Sequence, residues 1–328
     1  MSIKNKFIIG VAALLVVIGS LFAVGRIGQN GKIKAPVVLQ SVTLGYRTHD
    51  LYAPVFVGIE TKIFEQHGLA VKTEEFASTN QLTDALLGGK IDAALGGVNV
   101  PLILTIADKS PGELQAFGIV NETAATPLTY LLVRKESSIK SVTDLKNKKI
   151  AAFPGSTAQY LYKKTVQNYF DPANAELVQM NPELELPALA AGQVDAAIVL
   201  EPLASIAVTK GEAEVLASAL FHNYVMNDFP NAASVMSRRF AREHTQAAIA
   251  LREATREVVT YINSHPNEVK DILAKYLPFE RDFLEVINLP YFVPESNIDL
   301  AAVQKEANLL YADKQLKNLV DVKSIFVR

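Results

Sequence analysis

The sequence predicts an α/β fold with two similar lobes, and three observations support this prediction. An eleven-residue block at residues 85–95 returns at residues 188–198 with six identical positions. Short apolar runs, which are typical of buried strands in parallel sheets, alternate with segments of helical periodicity. The chain has 328 residues, of which 49% are hydrophobic, so it is long enough for two domains with substantial cores.

Each copy of the block predicts a helix, a stop and a buried strand. In the first copy Gly89 ends the helix, because a helix C-terminus often needs a residue that tolerates the left-handed conformation. Asp92 and Asp195 occupy the same position in the two copies, at the start of the strand. That position is opposite the edge where open α/β sheets bind ligands, so we interpret both as structural residues and not as a catalytic pair.

The residues that follow the two repeated strands are the first candidates for a ligand-binding site, since they come at the carboxyl ends of the strands. Gly97 and Asn99 follow the first strand, and Glu201 follows the second. A tight turn is the alternative interpretation for Gly97 and Asn99.

Residues 1–35 predict a targeting segment and a linker. Lys4 and Lys6 precede an uncharged, mostly apolar run over residues 7–25, which is the pattern of an export signal. The run is long for a signal peptide and nearly long enough to span a bilayer, so a cleaved signal peptide and an N-terminal transmembrane anchor both stay open. Either one predicts a protein in the periplasm or on the extracellular face of the cytoplasmic membrane.

The first lobe is predicted from residues 36–126 together with residues 229–328. Its predicted strands lie at residues 37–46, 69–76, 91–95, 114–120 and 233–238. Its predicted helices lie at residues 53–61, 82–88, 101–107, 247–262, 269–276 and 300–311. The break between the fourth and fifth of these helices is predicted from His265 and Pro266.

The second lobe is predicted from residues 127–228. Strands are predicted at residues 129–134 and 149–153, followed by a helix at residues 158–170 and then by the second copy of the repeat. A further helix is expected from Pro202 to about Lys210. The aromatic segment at residues 221–230 is predicted to be irregular and to carry the chain back to the first lobe, so two hinge crossovers are expected.

Two groups of small polar residues precede predicted helices and are candidates for holding an anion. They are Ser78, Thr79 and Asn80 in the first lobe and Gly155, Ser156 and Thr157 in the second. Free backbone N–H groups at a helix N-terminus bind anions. Ordinary helix capping explains the same residues equally well.

The loop after the first strand and the end of the second repeat supply charged and aromatic candidates. Arg47 is suited to clamp a sulfonate or carboxylate, although a surface arginine is the alternative. His49 and Tyr52 lie in the same loop, and Tyr52 could stack on a flat ligand or belong to the core. Glu201 could accept hydrogen bonds from a ligand amine or amino-pyrimidine, pair with Arg47 as a latch between the lobes, or lie in a solvated loop.

The composition excludes several classes of function. A net charge of −2 gives no electrostatic case for a nucleic-acid partner. The absence of cysteine excludes a disulfide, a thiol nucleophile and a lipid-attachment cysteine. The five histidines form no close metal-ligand pair, so we expect no metal and no cofactor.

Four blocks, at residues 53–69, 85–97, 143–157 and 188–202, together resemble one protein family in their order and spacing. It is the nitrate/sulfonate/taurine type of ABC-transporter substrate-binding protein, which has thiamine-pyrimidine binding relatives. The resemblance covers residues 37–290 and implies a two-lobed type II periplasmic-binding-protein fold with mostly parallel sheets flanked by helices. It also implies that the lobes close on a ligand by hinge motion and that residues 155–157 face the ligand.

The leading hypothesis is therefore an extracytoplasmic solute-binding component of an ABC importer. We expect it to bind a small sulfonate-, taurine- or nitrate-like anion, to be a monomer, and to dock on a membrane permease. The alternatives are a binding protein for a thiamine-precursor pyrimidine and a membrane-anchored ligand sensor on the same fold. An enzyme is not expected, because the related thiamine-pyrimidine synthases use a cysteine-rich motif and related menaquinone-pathway enzymes are cytoplasmic.

Overall fold

The computed structural model of the chain describes residues 39–278 and 281–327, and the chain from Gln40 onward forms one compact unit. The predicted signal or anchor segment at residues 1–35 lies outside the described residues. No helix among the described residues is long and apolar enough to cross a membrane.

The described residues contain eleven strands, which form two sheets. In chain order they are β1 (Gln40–Tyr46), β2 (Leu69–Glu75), β3 (Ala93–Asn99), β4 (Leu114–Glu122), β5 (Thr129–Arg134), β6 (Lys149–Ala152), β7 (Glu176–Gln179), β8 (Ala196–Leu200), β9 (Ala213–Ser218), β10 (Phe229–Ser237) and β11 (Phe292–Val293). The first sheet has the order β11-β4-β10-β3-β1-β2, and the second has the order β7-β6-β8-β5-β9.

Helices flank both sheets, as predicted for an α/β fold. In chain order they are α1 (Ala53–Glu60), α2 (Ile63–Gln66), α3 (Thr79–Gly88), α4 (Val100–Lys109), α5 (Ser156–Val166), α6 (Pro182–Ala190), α7 (Leu203–Thr209), α8 (Leu220–Tyr224), α9 (Arg238–Glu243), α10 (Thr245–Ser264), α11 (Pro266–Leu273), α12 (Arg281–Val286) and α13 (Leu300–Ala312). The predicted break between the two long C-terminal helices is confirmed, since α10 ends before His265 and α11 begins at Pro266.

The α/β class is confirmed, and most strands of each sheet run the same way, although β10 and β11 in the first sheet and β5 in the second are reversed. β1 pairs in parallel with β2 and β3, and β6 pairs in parallel with β7 and β8. The strands that start after a crossover run the other way, so β10 is antiparallel to β3 and β4, and β5 is antiparallel to β8 and β9.

The two copies of the repeat have the same local structure. Gly89 and Gly192 both have φ of +71°, as the predicted helix stop requires. Oδ2 of Asp92 accepts a hydrogen bond from the backbone N–H of Thr43, and Oδ2 of Asp195 accepts one from Lys149. Both carboxylates thus tie the start of one strand to its neighbour, which confirms their structural interpretation.

Apolar residues cover both faces of the second sheet. Leu131 and Val133 pack with residues of α5 and α8, whereas Tyr130 and Leu132 pack with residues of α6 and α7. This alternation follows from the two-residue period of a strand. A separate, larger cluster forms the core around the first sheet.

Two segments connect the sheets, and one carboxylate joins them. The chain leaves the first sheet at Glu122 and enters the second at Thr129, and it returns through α8 to β10. Oε1 of Glu122 accepts hydrogen bonds from the backbone N–H groups of Leu128 and Thr129 and from the Thr129 hydroxyl, at 3.0, 2.8 and 2.6 Å. Its Oε2 accepts one from the N–H of Phe221 in α8 at 3.2 Å.

The segment at residues 221–230, which was predicted to be irregular, contains most of α8 and the start of β10.

Candidate ligand-binding site

The loops that follow the parallel strands of the first sheet lie at one edge of that sheet. β1 pairs in parallel with both β2 and β3, so their carboxyl ends point the same way. Arg47 follows β1, Ser78 follows β2, and Asn99 ends β3. The parallel register thus brings the predicted residues of the first lobe to a common edge.

Arg47, Tyr52, Thr79 and Gly97 form a cluster at this edge. Nη1 of Arg47 lies 3.5 Å from Oγ1 of Thr79, which is a long hydrogen bond. The Tyr52 hydroxyl donates to the carbonyl oxygen of Gly97 at 3.1 Å. Burial raises the pKa of Tyr52, and the charge of Arg47 and a hydrogen bond with Thr79 oppose that rise. The Arg47 Nε is buried and has no hydrogen-bond partner, so its guanidinium is only partly satisfied by the protein.

The glycines at the end of β3 are required by close packing. A Cβ on Gly97 would lie 2.2 Å from the ring of Tyr52. A Cβ on Gly96 would lie 2.2 Å from the carbonyl oxygen of Leu51, and Gly96 has φ of +88°. Gly97 therefore lets Tyr52 and the loop after β1 approach the strand end.

The loop after β1 also buries a carboxylate that sequence analysis did not single out. The Asp50 side chain is 1% exposed, and neither of its oxygens has a hydrogen-bond partner in the protein. The Nδ1 atom of His49 lies 2.7 Å from Oδ1 of Asp50 but accepts a hydrogen bond from the N–H of Leu51. When Nδ1 accepts this hydrogen bond it has no proton to donate to Asp50, and when Nδ1 is protonated it reaches only Oδ1. No ion pair joins Asp50 to a lysine or arginine among the described residues.

In the second sheet, Glu201 follows β8 and is 2% exposed. Its oxygens accept hydrogen bonds from the hydroxyl and the backbone N–H of Ser205, at 2.6 and 3.1 Å. Burial raises the pKa of Glu201, and hydrogen bonds from Ser205 and Tyr130 oppose the rise. The charge of Asp50 also raises it, so the two carboxylates interact electrostatically.

The structure contradicts one interpretation of Glu201, because the side chain is almost fully buried and does not lie in a solvated loop. Among the described residues it forms no ion pair with Arg47, and Ser205 at the start of α7 donates both a hydroxyl and a backbone N–H to it.

The remaining candidates of the first sheet take part in helix starts. The Ser78 hydroxyl accepts from the N–H of Gln81 and caps α3, so capping is observed at this position. Asn80 is exposed in the first turn of α3. Asn99 precedes α4 without a side-chain cap.

Gly155, Ser156 and Thr157 lie at the same edge of the second sheet as Glu201, because β6 and β8 are parallel. α5 begins at Ser156, two residues before the predicted start, and Gly155 precedes it with φ of +115°. Gly155 and Ser156 are exposed. No hydrogen bond in the described part of the chain joins the three to the cluster around Arg47 or to Glu201.

Three further residues of the site were missed: Asp50, Tyr130 and Ser205. Asp50 is adjacent to the predicted His49, so the loop was found but the burial of this carboxylate was not. Ser205 comes four residues after Glu201, a helical spacing that the sequence offers as a signal.

Neither metal binding nor the surface cavities add to this site. No group of three or more His, Asp or Glu side chains in the described ranges could hold a metal ion. Two cavities, of about 320 and 290 Å³, contain none of the twelve predicted site residues. The first is lined by Arg238, Arg242 and Arg252 on the helices after β10.

Two mixed sheets joined by two crossovers, with polar residues at the carboxyl ends of the parallel strands in each, are the architecture of a two-lobed binding-protein fold. The alkanesulfonate-binding protein SsuA of Xanthomonas axonopodis pv. citri bound to MOPS has this fold, with a TM-score of 0.70 and 22% identity over 88% of this chain and 98% of that one. The periplasmic nitrate-binding protein NrtA of Synechocystis PCC 6803 has a TM-score of 0.67 and 15% identity over 88% of this chain and 86% of that one.

The chain belongs to the NMT1-like family, whose model matches residues 36–277. A Bacillus subtilis protein named for aliphatic-sulfonate binding is 24% identical over 95% of this chain and 93% of its own length. The family resemblance predicted from the sequence is thereby confirmed. These relatives are substrate-binding proteins and not enzymes.

Proposed function

We propose that this chain is the solute-binding component of an ABC importer and that it binds a small acidic solute between its two lobes. The observation that carries this proposal is the incompletely paired guanidinium of Arg47 at the ligand edge of the first sheet. The family membership and the sulfonate- and nitrate-binding relatives support the same class of solute.

Arg47 and the first turn of α3 form the acid-binding end of the site. The guanidinium offers N–H donors in a planar fork, which matches the oxygens of a sulfonate or carboxylate. Thr79 lies next to it, and the N-terminal N–H groups of α3 favour negative charge. The Tyr52 hydroxyl donates to the carbonyl oxygen of Gly97, so the aromatic ring of Tyr52 is the part that is available to pack against a solute.

The two lobes are residues 36–126 with 229–328 and residues 127–228. The first sheet takes all its strands from the former and the second sheet from the latter, which supports these boundaries. The crossovers after β4 and around α8 act as hinges, and the lobes close around the solute by rotation about them. The closed form docks on a membrane permease at the outer face of the cytoplasmic membrane, and the protein is a monomer that performs no chemistry on the solute.

The test is a binding measurement on the purified full-length chain and two arginine variants. The probes are nitrate and a series of alkane and aryl sulfonates and carboxylates, measured by isothermal titration calorimetry. Arg47→Gln should weaken binding of every bound acid by about thirtyfold or more, because removing one partner of a desolvated charge pair costs about 2 kcal/mol or more.

Arg134→Gln is the matched control. Nη1 of Arg134 donates to the carbonyl oxygens of Leu189 and Val194 at 3.0 and 2.9 Å, at the edge of the second sheet opposite Glu201. This variant should lower the stability of the protein and leave acid binding unchanged. An Arg47→Gln variant that binds the acids as tightly as the parent would contradict the assignment of Arg47 as the residue that binds the acidic group.

A further inference from the structure

The starting point is a buried carboxylate for which the protein provides no partner. Both side-chain oxygens of Asp50 are shielded from solvent and accept no hydrogen bond. Buried polar groups in proteins are nearly always hydrogen-bonded, and an unpaired buried charge is especially costly. A missing partner at the ligand edge of a sheet points to a group that arrives with the ligand.

The two nearest basic side chains do not supply this partner. His49 Nδ1 reaches only Oδ1, and it does so while accepting from the N–H of Leu51, so Oδ2 stays unpaired whichever tautomer the ring adopts. Arg47 is directed to Thr79 and forms no ion pair with Asp50 among the described residues.

A second buried carboxylate lies at the carboxyl end of a strand in the other sheet. Glu201 is buried at the carboxyl end of β8, and the charge of Asp50 acts on it. Ser205 donates two hydrogen bonds to Glu201 and none to Asp50. Two carboxylates that approach each other away from water repel, and a positively charged or N–H donor group between them removes this repulsion.

Two other buried carboxylates lack a partner for at least one oxygen, but their setting differs. Glu185 lies within α6 and Glu306 within α13, and neither is in a loop at the carboxyl edge of a strand. Burial raises the pKa of Glu185 to about 9 and raises that of Glu306 well above its usual range.

We propose that Asp50 is a specificity-determining ligand-binding residue, which together with Glu201 forms a two-carboxylate subsite for the cationic or N–H donor end of the solute. This inference rests on the proposed function and adds a requirement to it. Arg47 binds the acidic end, and Asp50 and Glu201 select solutes that also carry an ammonium group or an amino-substituted ring. A protonated amine suits this subsite because it offers three donors and no acceptor.

The test compares probes that differ in one amino group, with the full-length chain. The pairs are taurine against 1-propanesulfonate, and 4-aminopyrimidine-5-carboxylate against pyrimidine-5-carboxylate. In at least one pair the amino-bearing probe should bind about tenfold more tightly or better, because hydrogen bonds to a charged group are among the strong ones. Asp50→Asn should remove this preference and change the affinity for the amine-free probe by less than about threefold.

The control variant is Asp195→Asn, which changes a carboxylate that accepts from the backbone N–H of Lys149. It should leave the preference for the amino group intact. The unliganded Asp50→Asn protein should melt at the same temperature as the parent or higher, whereas Asp195→Asn should melt lower.

The outcomes separate this inference from the proposed function. Acids that bind through Arg47 without any preference for an amino group, or a preference that survives in Asp50→Asn, overturn the inference and leave the proposed function standing. An Asp50→Asn variant that melts well below the parent also overturns it, because the carboxylate would then be structural. If no acid in the panel binds, both proposals fail.

Discussion

Glu122 and Asp50 are two buried carboxylates of the same chain, and the protein treats them in opposite ways. Glu122, at the crossovers, accepts four hydrogen bonds from three residues. Asp50, at the ligand edge, accepts none. Glu122 is held by donors of the fold, whereas Asp50 lies in a loop at the ligand edge, where we propose that a ligand provides the donors.

Three of the four donors to Glu122 are backbone N–H groups, and the fourth is the Thr129 hydroxyl. They belong to the end of one crossover and to the helix of the other, so one side chain holds both connections between the sheets together. Asp50 instead follows β1 in a loop whose neighbours are side chains at the ligand edge. The crossovers are thus held by a fully paired carboxylate, and the ligand edge keeps unsatisfied polar groups, which agrees with the common trade-off between stability and function.

The largest expected effect is the loss of the Glu122 carboxylate. Glu122→Ala should lower the free energy of unfolding by about 3–5 kcal/mol, because it leaves several buried donors unpaired. Urea unfolding followed by circular dichroism measures this change. The exposed Glu212→Ala is the control and should stay within about 0.5 kcal/mol of the parent. A small loss of unfolding free energy in Glu122→Ala would contradict the structural role assigned to Glu122.

The pH dependence of stability comes next in size. Burial raises the pKa of Glu122 from 4.5 to about 7, against the hydrogen bonds it accepts. Between these two values the folded state binds more protons than the unfolded state, so the contribution of Glu122 is full below pH 4.5 and is lost as the pH rises to about 7. The loss amounts to about 3 kcal/mol over this window.

Glu122→Gln cannot titrate, so it isolates this contribution from those of other buried acids. The difference in unfolding free energy between the parent and Glu122→Gln should shift against the parent as the pH rises through this window. Urea titrations at a series of pH values test it. A difference that does not change with pH would show that Glu122 keeps the same proton in both states.

The smallest effect has the opposite sign. Asp50→Asn should raise the unfolding free energy of the unliganded protein by about 1 kcal/mol, because it removes an unpaired buried charge. Asp195→Asn should lower it by about 1 kcal/mol, because a charge-assisted hydrogen bond to Lys149 becomes a neutral one. Equal losses in the two variants would mean that Asp50 has a partner in the folded protein.

Sequence analysis predicted the features that depend on local pattern. The repeat predicted the left-handed Gly89 and Gly192 from the local helix stop, and it predicted the structural roles of Asp92 and Asp195 from their shared position at a strand start. The loop that holds Arg47 was found in the same way, since it follows a clear apolar strand. These features need only a period and a stop signal.

The features that were missed depend on distant partners. β7 and β9 are the two edge strands of the second sheet, and their polar residues gave no strong strand pattern. The antiparallel direction of β10 is set by which strands it joins, which no local pattern contains. The isolation of Asp50 is likewise a property of the packed loop, because the sequence shows a carboxylate but not what surrounds it.

The most direct measurement is a crystal structure of the protein with the amino-bearing acid that binds most tightly. We predict acid oxygens within about 3.2 Å of the Arg47 guanidinium and the amino group within the same distance of Oδ2 of Asp50. Glu201 should approach the same amino group from the second sheet. A ligand found elsewhere, for instance in the cavity lined by Arg238 and Arg242, would contradict the account.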